Sequence, residues 1–176
     1  MPRRHPLPQT WLMTDERLGD TLLPIVAAMP RGSGIVFRHY ATPPPERRAL
    51  FAAVRRIARA RRHLLLIAGP VLPGADGVHG RRARRGRGLA TRPVHDRAEL
   101  VAAERAGVDA IFVSPVFATA SHPGAPALGR VRFQRLIHDA RVPVIALGGM
   151  TAARARTLKG IAGWAAIDAW ASEPRA

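Results

Sequence analysis

Short runs of consecutive apolar residues alternate along this chain with longer stretches in which apolar residues recur every three or four positions. The short runs are Thr10–Met13, Gly34–Arg38, His63–Ala68, Asp76–His79, Gly88–Thr91, Ala110–Ser114, Val142–Leu147 and Trp164–Ile167. Amphipathic helices are predicted over Glu16–Ala28, Pro45–Ala60, Arg97–Ala106, Gly129–Ala140 and Ala152–Leu158. Unbroken apolar runs are the pattern of strands buried on both faces, so the alternation predicts an α/β fold with a parallel sheet. Alternation alone allows a doubly wound sheet or a closed barrel. Eight strands favour closure into a (β/α)₈ TIM barrel.

Length changes that picture. Shared among eight units, 176 residues leave about 22 for each, whereas such barrels typically run to roughly 250 residues. Gly69–Ala75, between the third and fourth strands, contains Gly69, Pro70, Pro73 and Gly74 and cannot hold a regular helix. The stretch after the last strand, Asp168–Ala176, is also short. The expectation is a trimmed barrel with one or two outer helices shortened or missing, forming a single domain over residues 1–176. Pro43-Pro44-Pro45 reads as a stiff turn ending in Pro at a helix start.

Composition removes several chemistries. The chain has no cysteine, which excludes disulfides, thiolate metal sites and a cysteine nucleophile. No apolar run is long enough to span a bilayer, and the N-terminal residues lead into no apolar signal core, so a cytoplasmic location is expected with no membrane partner. The net charge is +16, carried by 27 arginines and the one lysine, Lys159. The densest run, Arg81-Arg82-Ala83-Arg84-Arg85-Gly86-Arg87, reads either as a phosphate patch or as a solvated loop or short helix face. Aromatics are 5% of the chain and none interleaves the run, so nucleic acid is disfavoured as a partner. The oligomeric state is left open, a homo-oligomer included.

In a barrel the chemistry gathers at the C-terminal strand ends. Those ends supply Asp15, Arg38, His79, then Arg92 and His95 after the fifth strand, Ser114 after the sixth, and Gly148-Gly149 after the seventh. The loop from Ser114 to Gly124 is long and rich in hydroxyls, including Thr119 and Ser121. The Gly148-Gly149 turn can expose backbone N–H groups to a phosphate.

Three segments carry a family resemblance: Ala75-Asp76-Gly77-Val78-His79, the stretch from Ala106 to Thr119 that includes Val113-Ser114-Pro115-Val116-Phe117, and Val142 to Thr151 with Ala146-Leu147-Gly148-Gly149-Met150-Thr151. In order and spacing this combination resembles the thiamine phosphate synthase/TenI superfamily, whose fold is a (β/α)₈ barrel. Leu12-Met13-Thr14-Asp15 and Val36-Phe37-Arg38 resemble its first two strand ends.

The resemblance implies a phosphorylated thiazole as ligand and one of two activities. The synthase couples a pyrimidine pyrophosphate to a thiazole ethyl phosphate and uses Mg²⁺, which wants carboxylate oxygens. Its Gln-x-Arg-Glu-Lys pattern here reads Val36, Phe37, Arg38, His39, Tyr40, and its Asn-Asp pair reads Ala68-Gly69. Its His-Leu-Gly-Gln-x-Asp reads His79 followed by Gly80-Arg81-Arg82-Ala83-Arg84, and its Thr-x-Thr-Lys reads Thr119-Ala120-Ser121-His122. Both metal-binding aspartates are replaced, so Mg²⁺ is expected only under the synthase alternative.

The TenI-type tautomerase moves a proton to aromatise a carboxylated thiazole phosphate, with no cofactor or metal implied. The resemblance places its catalytic histidine at His95, where an imidazole can take and return a proton near neutral pH. The competing reading of His95 is a loop residue beside a helix start. Arg38, His79, Ser114, Thr119, Ser121, His122, Gly148 and Gly149 are the expected substrate and phosphate contacts. Tautomerase comes first, synthase second, and a non-catalytic phosphate-ligand-binding relative third. The eighth strand ends Ala166-Ile167-Asp168, where a carboxylate would repel phosphate unless it points away.

Overall fold

The computed structural model describes residues 7–84, 86, 88–119, 124 and 126–170. Eight strands, β1 (Thr10–Met13), β2 (Gly34–Phe37), β3 (Leu64–Ala68), β4 (Gly77–His79), β5 (Leu89–Val94), β6 (Ala110–Val113), β7 (Val144–Leu147) and β8 (Gly163–Ala166), form one closed barrel in chain order. All pairs are parallel, and β8 returns to β1 with Trp11 opposite Ala165. Outside it lie α1 (Leu22–Ala28), α2 (Pro44–Arg61), α3 (Arg97–Arg105), α4 (Gly129–Ile137) and α5 (Ala152–Ala155). The fold is the expected TIM barrel.

The trimming is concentrated on one side. Among the described residues no helix connects β3 to β4, as expected, and none connects β4 to β5 either. In their place Leu72 and Ala75 of the β3–β4 loop pack against the outer core. At the end of the described chain a 3₁₀ turn, Asp168–Trp170, stacks Trp170 on Trp164 at 5.0 Å and sends its indole N–H to the Trp11 carbonyl at 3.1 Å. One side chain thus covers the seam between β8 and β1.

Two local expectations are corrected. The predicted helix Glu16–Ala28 divides into a 3₁₀ segment, Glu16–Thr21, and α1, because the chain kinks within the first segment, where Gly19 takes φ 47° and ψ −132°. The fifth strand runs on to Val94 instead of ending at Thr91. Arg92 therefore lies inside β5 and faces outward, its guanidinium donating to the Ala83 carbonyl at 2.6 Å. Pro93 is tolerated in the strand for a geometric reason. Thr91 still bonds toward β4, accepting from Gly80 N at 3.0 Å, but β4 ends at His79, so the missing Pro93 N–H points past its last residue.

The interior is filled by alternating side chains. Trp11, Met13, Val36, Leu66, Phe112, Ile145 and Ala165 point inward, while Ile35, Phe37, Leu65, Ile67, Ile111 and Val113 pack outward under the helices. Trp11 is fully buried, edge-on to Phe112 at 5.3 Å. A large ring in so small a barrel needs an absent side chain opposite, and Gly34 provides it: a Cβ there would lie 2.1 Å from the indole. At the opposite end from the candidate site, Asp76 accepts from Leu65 N at 2.8 Å and Asp109 from Ala90 N at 2.9 Å, tying neighbouring strands together.

Gly34→Ala should therefore destabilise the protein by about 3 kcal/mol or more, since neither the strand nor the buried ring has room to move. Urea unfolding of the two proteins measures it.

Candidate active site

The C-terminal ends of the strands enclose a cavity of about 540 Å³. Six of the expected site residues line it: Arg38, His79, His95, Ser114, Thr119 and Gly148. Gly149 adjoins it without lining it, and Ser121 and His122 lie outside the described residues. Arg81 and Tyr40 also line the cavity, and among the described residues no carboxylate does.

His95 follows the last residue of β5 and has the inward parity of Pro93. Its Nδ1 lies 2.7 Å from Glu99 Oε2, and its backbone N–H donates to the same oxygen at 2.8 Å. Asp96 caps α3 by accepting from Glu99 N at 2.8 Å, and Arg81 approaches the other Glu99 oxygen at 3.3 Å. His95 thus lines the cavity while its Nδ1 is anchored to α3.

His79 sits deeper. Its Nδ1 meets the hydroxyl of its cross-strand partner Thr91 at 2.9 Å, and its ring stands edge-on to Phe112 at 4.9 Å. Burial, reinforced by the Arg38 charge, pushes its pKa down to about 4, so it is neutral at pH 7. Arg38 is both a strand-end ion pair and a cavity residue: Nε donates to the Thr14 carbonyl at 2.7 Å and Nη2 to Asp15 at 2.9 Å. Burial pushes the Asp15 carboxyl up, but the hydrogen bonds from Arg17 and the charges of Arg17 and Arg38 outweigh it and hold it below the usual range.

Arg47 does not line the cavity but ties the β2 and β3 ends together behind it. It lies on the buried stripe of α2 with Phe51, Val54 and Ala58. Its guanidinium stands over the Phe37 ring and donates to three carbonyls: His39 at 3.1 Å, Pro70 at 2.9 Å and Ala68 at 2.8 Å. The β7–α5 turn completes the mouth. Gly148 and Gly149 have φ of 94° and 58°. A Cβ would come within 2.7 Å of Pro115 at Gly148, and within 2.3 Å of the Ala118 carbonyl at Gly149. Both positions require glycine because the sixth loop folds directly over them.

The family model described as thiamine monophosphate synthase matches residues 11–170. The chain belongs to the thiamine monophosphate synthase family. It is similar to the thiamine-phosphate synthase of Geobacillus kaustophilus, 34% identical over 113 residues, 57% of this chain and 51% of that protein. It also resembles that of Synechococcus sp., 37% identical over 110 residues, 61% of this chain and 30% of that one. The stretches matched in the curated relatives span between 26% and 51% of their own length. In fold it resembles the thiamine phosphate pyrophosphorylase of Pyrococcus furiosus, with a TM-score of 0.77 at 23% identity over 91% of this chain and 85% of that one.

At the end of β3, where the synthase pattern has Asn-Asp, Ala68 offers a main-chain carbonyl already bonded to the Arg47 guanidinium. Asp15 is committed to Arg17 and Arg38, and Glu16 accepts from Ala41 N at 2.9 Å. Among the described residues no group of three His, Asp or Glu side chains could hold a metal ion. A guanidinium beside the site and carboxylates tied to arginines do not fit Mg²⁺. Asp168, which threatened the phosphate site, does not line the cavity and lies 3.8 Å from Arg17.

Arg47, Glu99 and the cavity role of Arg81 escape a reading of the sequence. Arg47 left one signal, a cation on an apolar helical stripe. Glu99 left two: the Asp96-x-x-Glu99 capping pattern and its four-residue spacing from His95.

Burial is the largest cause of lowered pKa values at His39, His63 and His79. As pH falls, the unfolded chain binds these protons first, so their contribution to stability is complete above about pH 6.5 and is lost below it, for His79 down to about pH 4. For His79 alone the loss is about 3 kcal/mol. Denaturant unfolding across that window should show a steep decline that flattens in His79→Gln.

Proposed function

We infer that this protein acts in thiamine biosynthesis as a metal-independent, TenI-like tautomerase, transferring a proton within a phosphorylated thiazole. The observation that carries this reading is the His95 imidazole, fixed by Glu99 on a cavity that has arginines but, among the described residues, no carboxylate in its lining. In this scheme His95 Nε2 removes a proton from one ring position. The released electron pair aromatises the ring, and the imidazolium returns the proton at a second position. Arg38 and Arg81 offer guanidinium donors to the substrate's anionic groups. The left-handed backbone of the Gly148–Gly149 turn, with Ser114 and Thr119 lining the same cavity, is suited to a phosphate. Neutral His79 supplies a hydrogen-bonding wall.

The second reading, thiamine phosphate synthase, is favoured by the names of the curated relatives. Offering both substrate sets with and without Mg²⁺ separates the two. Isomerisation of the carboxylated thiazole phosphate without metal is the expected outcome. Robust Mg²⁺-dependent thiamine phosphate formation would overturn it, and ligand binding with neither reaction would make the protein a non-catalytic relative.

His95→Gln should lower turnover by roughly 10²–10⁴-fold with ligand affinity largely kept, because Gln can hydrogen-bond but carries no proton at neutral pH. Steady-state kinetics with parallel calorimetric titration check it, and parent-like turnover would return His95 to a loop role.

A further inference from the structure

Glu99 departs from the ordinary behaviour of the third residue of a helix. In a capping box it would reach back to the N–H of the capping residue, Asp96. Here Oε2 reaches one residue further and accepts from both the backbone N–H and the ring Nδ1 of His95, at 2.8 and 2.7 Å. The carboxylate is steadied on two more sides. Its own backbone N–H is fixed by Asp96 at 2.8 Å, and Oε1 faces the Arg81 guanidinium at 3.3 Å. Loop, helix start and basic segment therefore converge on one imidazole nitrogen.

That contact has a chemical consequence. A neutral imidazole carries its proton on one nitrogen or the other, and the hydrogen bond made by one nitrogen decides which. An ionised carboxylate accepts and cannot donate, so the nitrogen that faces it must carry the hydrogen. An imidazole without such a partner favours the Nε2–H form, in which Nε2 has no lone pair to offer.

We propose that Glu99 is a positioning residue that holds His95 as the Nδ1–H tautomer and leaves the Nε2 lone pair free for the cavity. This rests on the reading of His95 as the proton-transfer group. Glu99 itself touches no substrate atom. It aligns the base and shares the positive charge that forms on it, the arrangement by which a carboxylate supports a catalytic histidine elsewhere.

The test uses the full chain with ¹⁵N-labelled histidine, in which two-bond ¹H–¹⁵N correlations recorded in mildly alkaline buffer distinguish the two tautomers. The His95 signals are assigned by their disappearance in His95→Gln. The parent should show an unprotonated Nε2. Glu99→Ala should shift the balance toward Nε2–H, and Glu99→Gln, whose amide oxygen can still accept, should keep the parent form. An Nε2–H parent, or a Glu99→Ala spectrum unchanged from the parent, overturns the proposal. The parent spectrum alone can do so should the alanine variant fail to fold.

Kinetics on the same proteins with the carboxylated thiazole phosphate should show kcat lowered about tenfold to a hundredfold in Glu99→Ala with KM nearly constant. A tautomer shift without loss of turnover would uphold the role of Glu99 and remove proton transfer from His95, so the two readings fail separately.

Discussion

The guanidinium of Arg47, buried on the inner stripe of α2 and bonded to the carbonyls of His39, Ala68 and Pro70, holds together the part of the barrel that has lost its helices. With no helix after β3 or β4 among the described residues, the loops there lack the usual partner for their main-chain oxygens. One rigid fork of donors satisfies those of Ala68 and Pro70 together with the His39 carbonyl after β2, which a compact ammonium would do less well. The same contact puts a cation at the end of β3, behind a cavity whose lining holds Arg38 and Arg81.

Acidic side chains are scarce, 12 against 28 basic ones, and those near the barrel have structural duties. Asp76 and Asp109 tie strands at the far end, Asp15 anchors Arg17 and Arg38, Asp96 caps α3, and Glu99 braces His95. The cavity is consequently lined by guanidinium groups and imidazoles. Two imidazoles in one cavity are kept chemically distinct by depth. His79, wedged against Phe112, is held neutral by burial, while His95 stands at the rim with a carboxylate behind it.

A barrel this short also depends on complementary sizes inside. Trp11 fills space that Gly34 leaves open, and Trp170 covers a seam that a larger relative would cover with a helix. Glycine at 148 and 149 serves closeness, because the sixth loop rests on the turn with Val116 N on the Leu147 carbonyl at 2.9 Å and Phe117 N on that of Gly148 at 3.1 Å.

The sequence by itself determined the eight strands, the closed barrel and the membership of Arg38, His79, His95, Ser114, Thr119 and Gly148 in one mouth. Each of these follows from local signals: apolar runs, strand-end positions and motif spacing. What only the tertiary structure decided is how far β5 runs and what each side chain faces. Pro93 reads as a strand end in one dimension, and only the end of β4 beside it makes a strand through it permissible. Arg47 and Glu99 look like ordinary helical charges in the chain. Their roles arise because residues up to 23 positions away in sequence bring carbonyls or a guanidinium within hydrogen-bonding reach. Hydrophobic periodicity is written residue by residue, whereas the partner of a polar group is set by whichever loops closure of the barrel brings beside it.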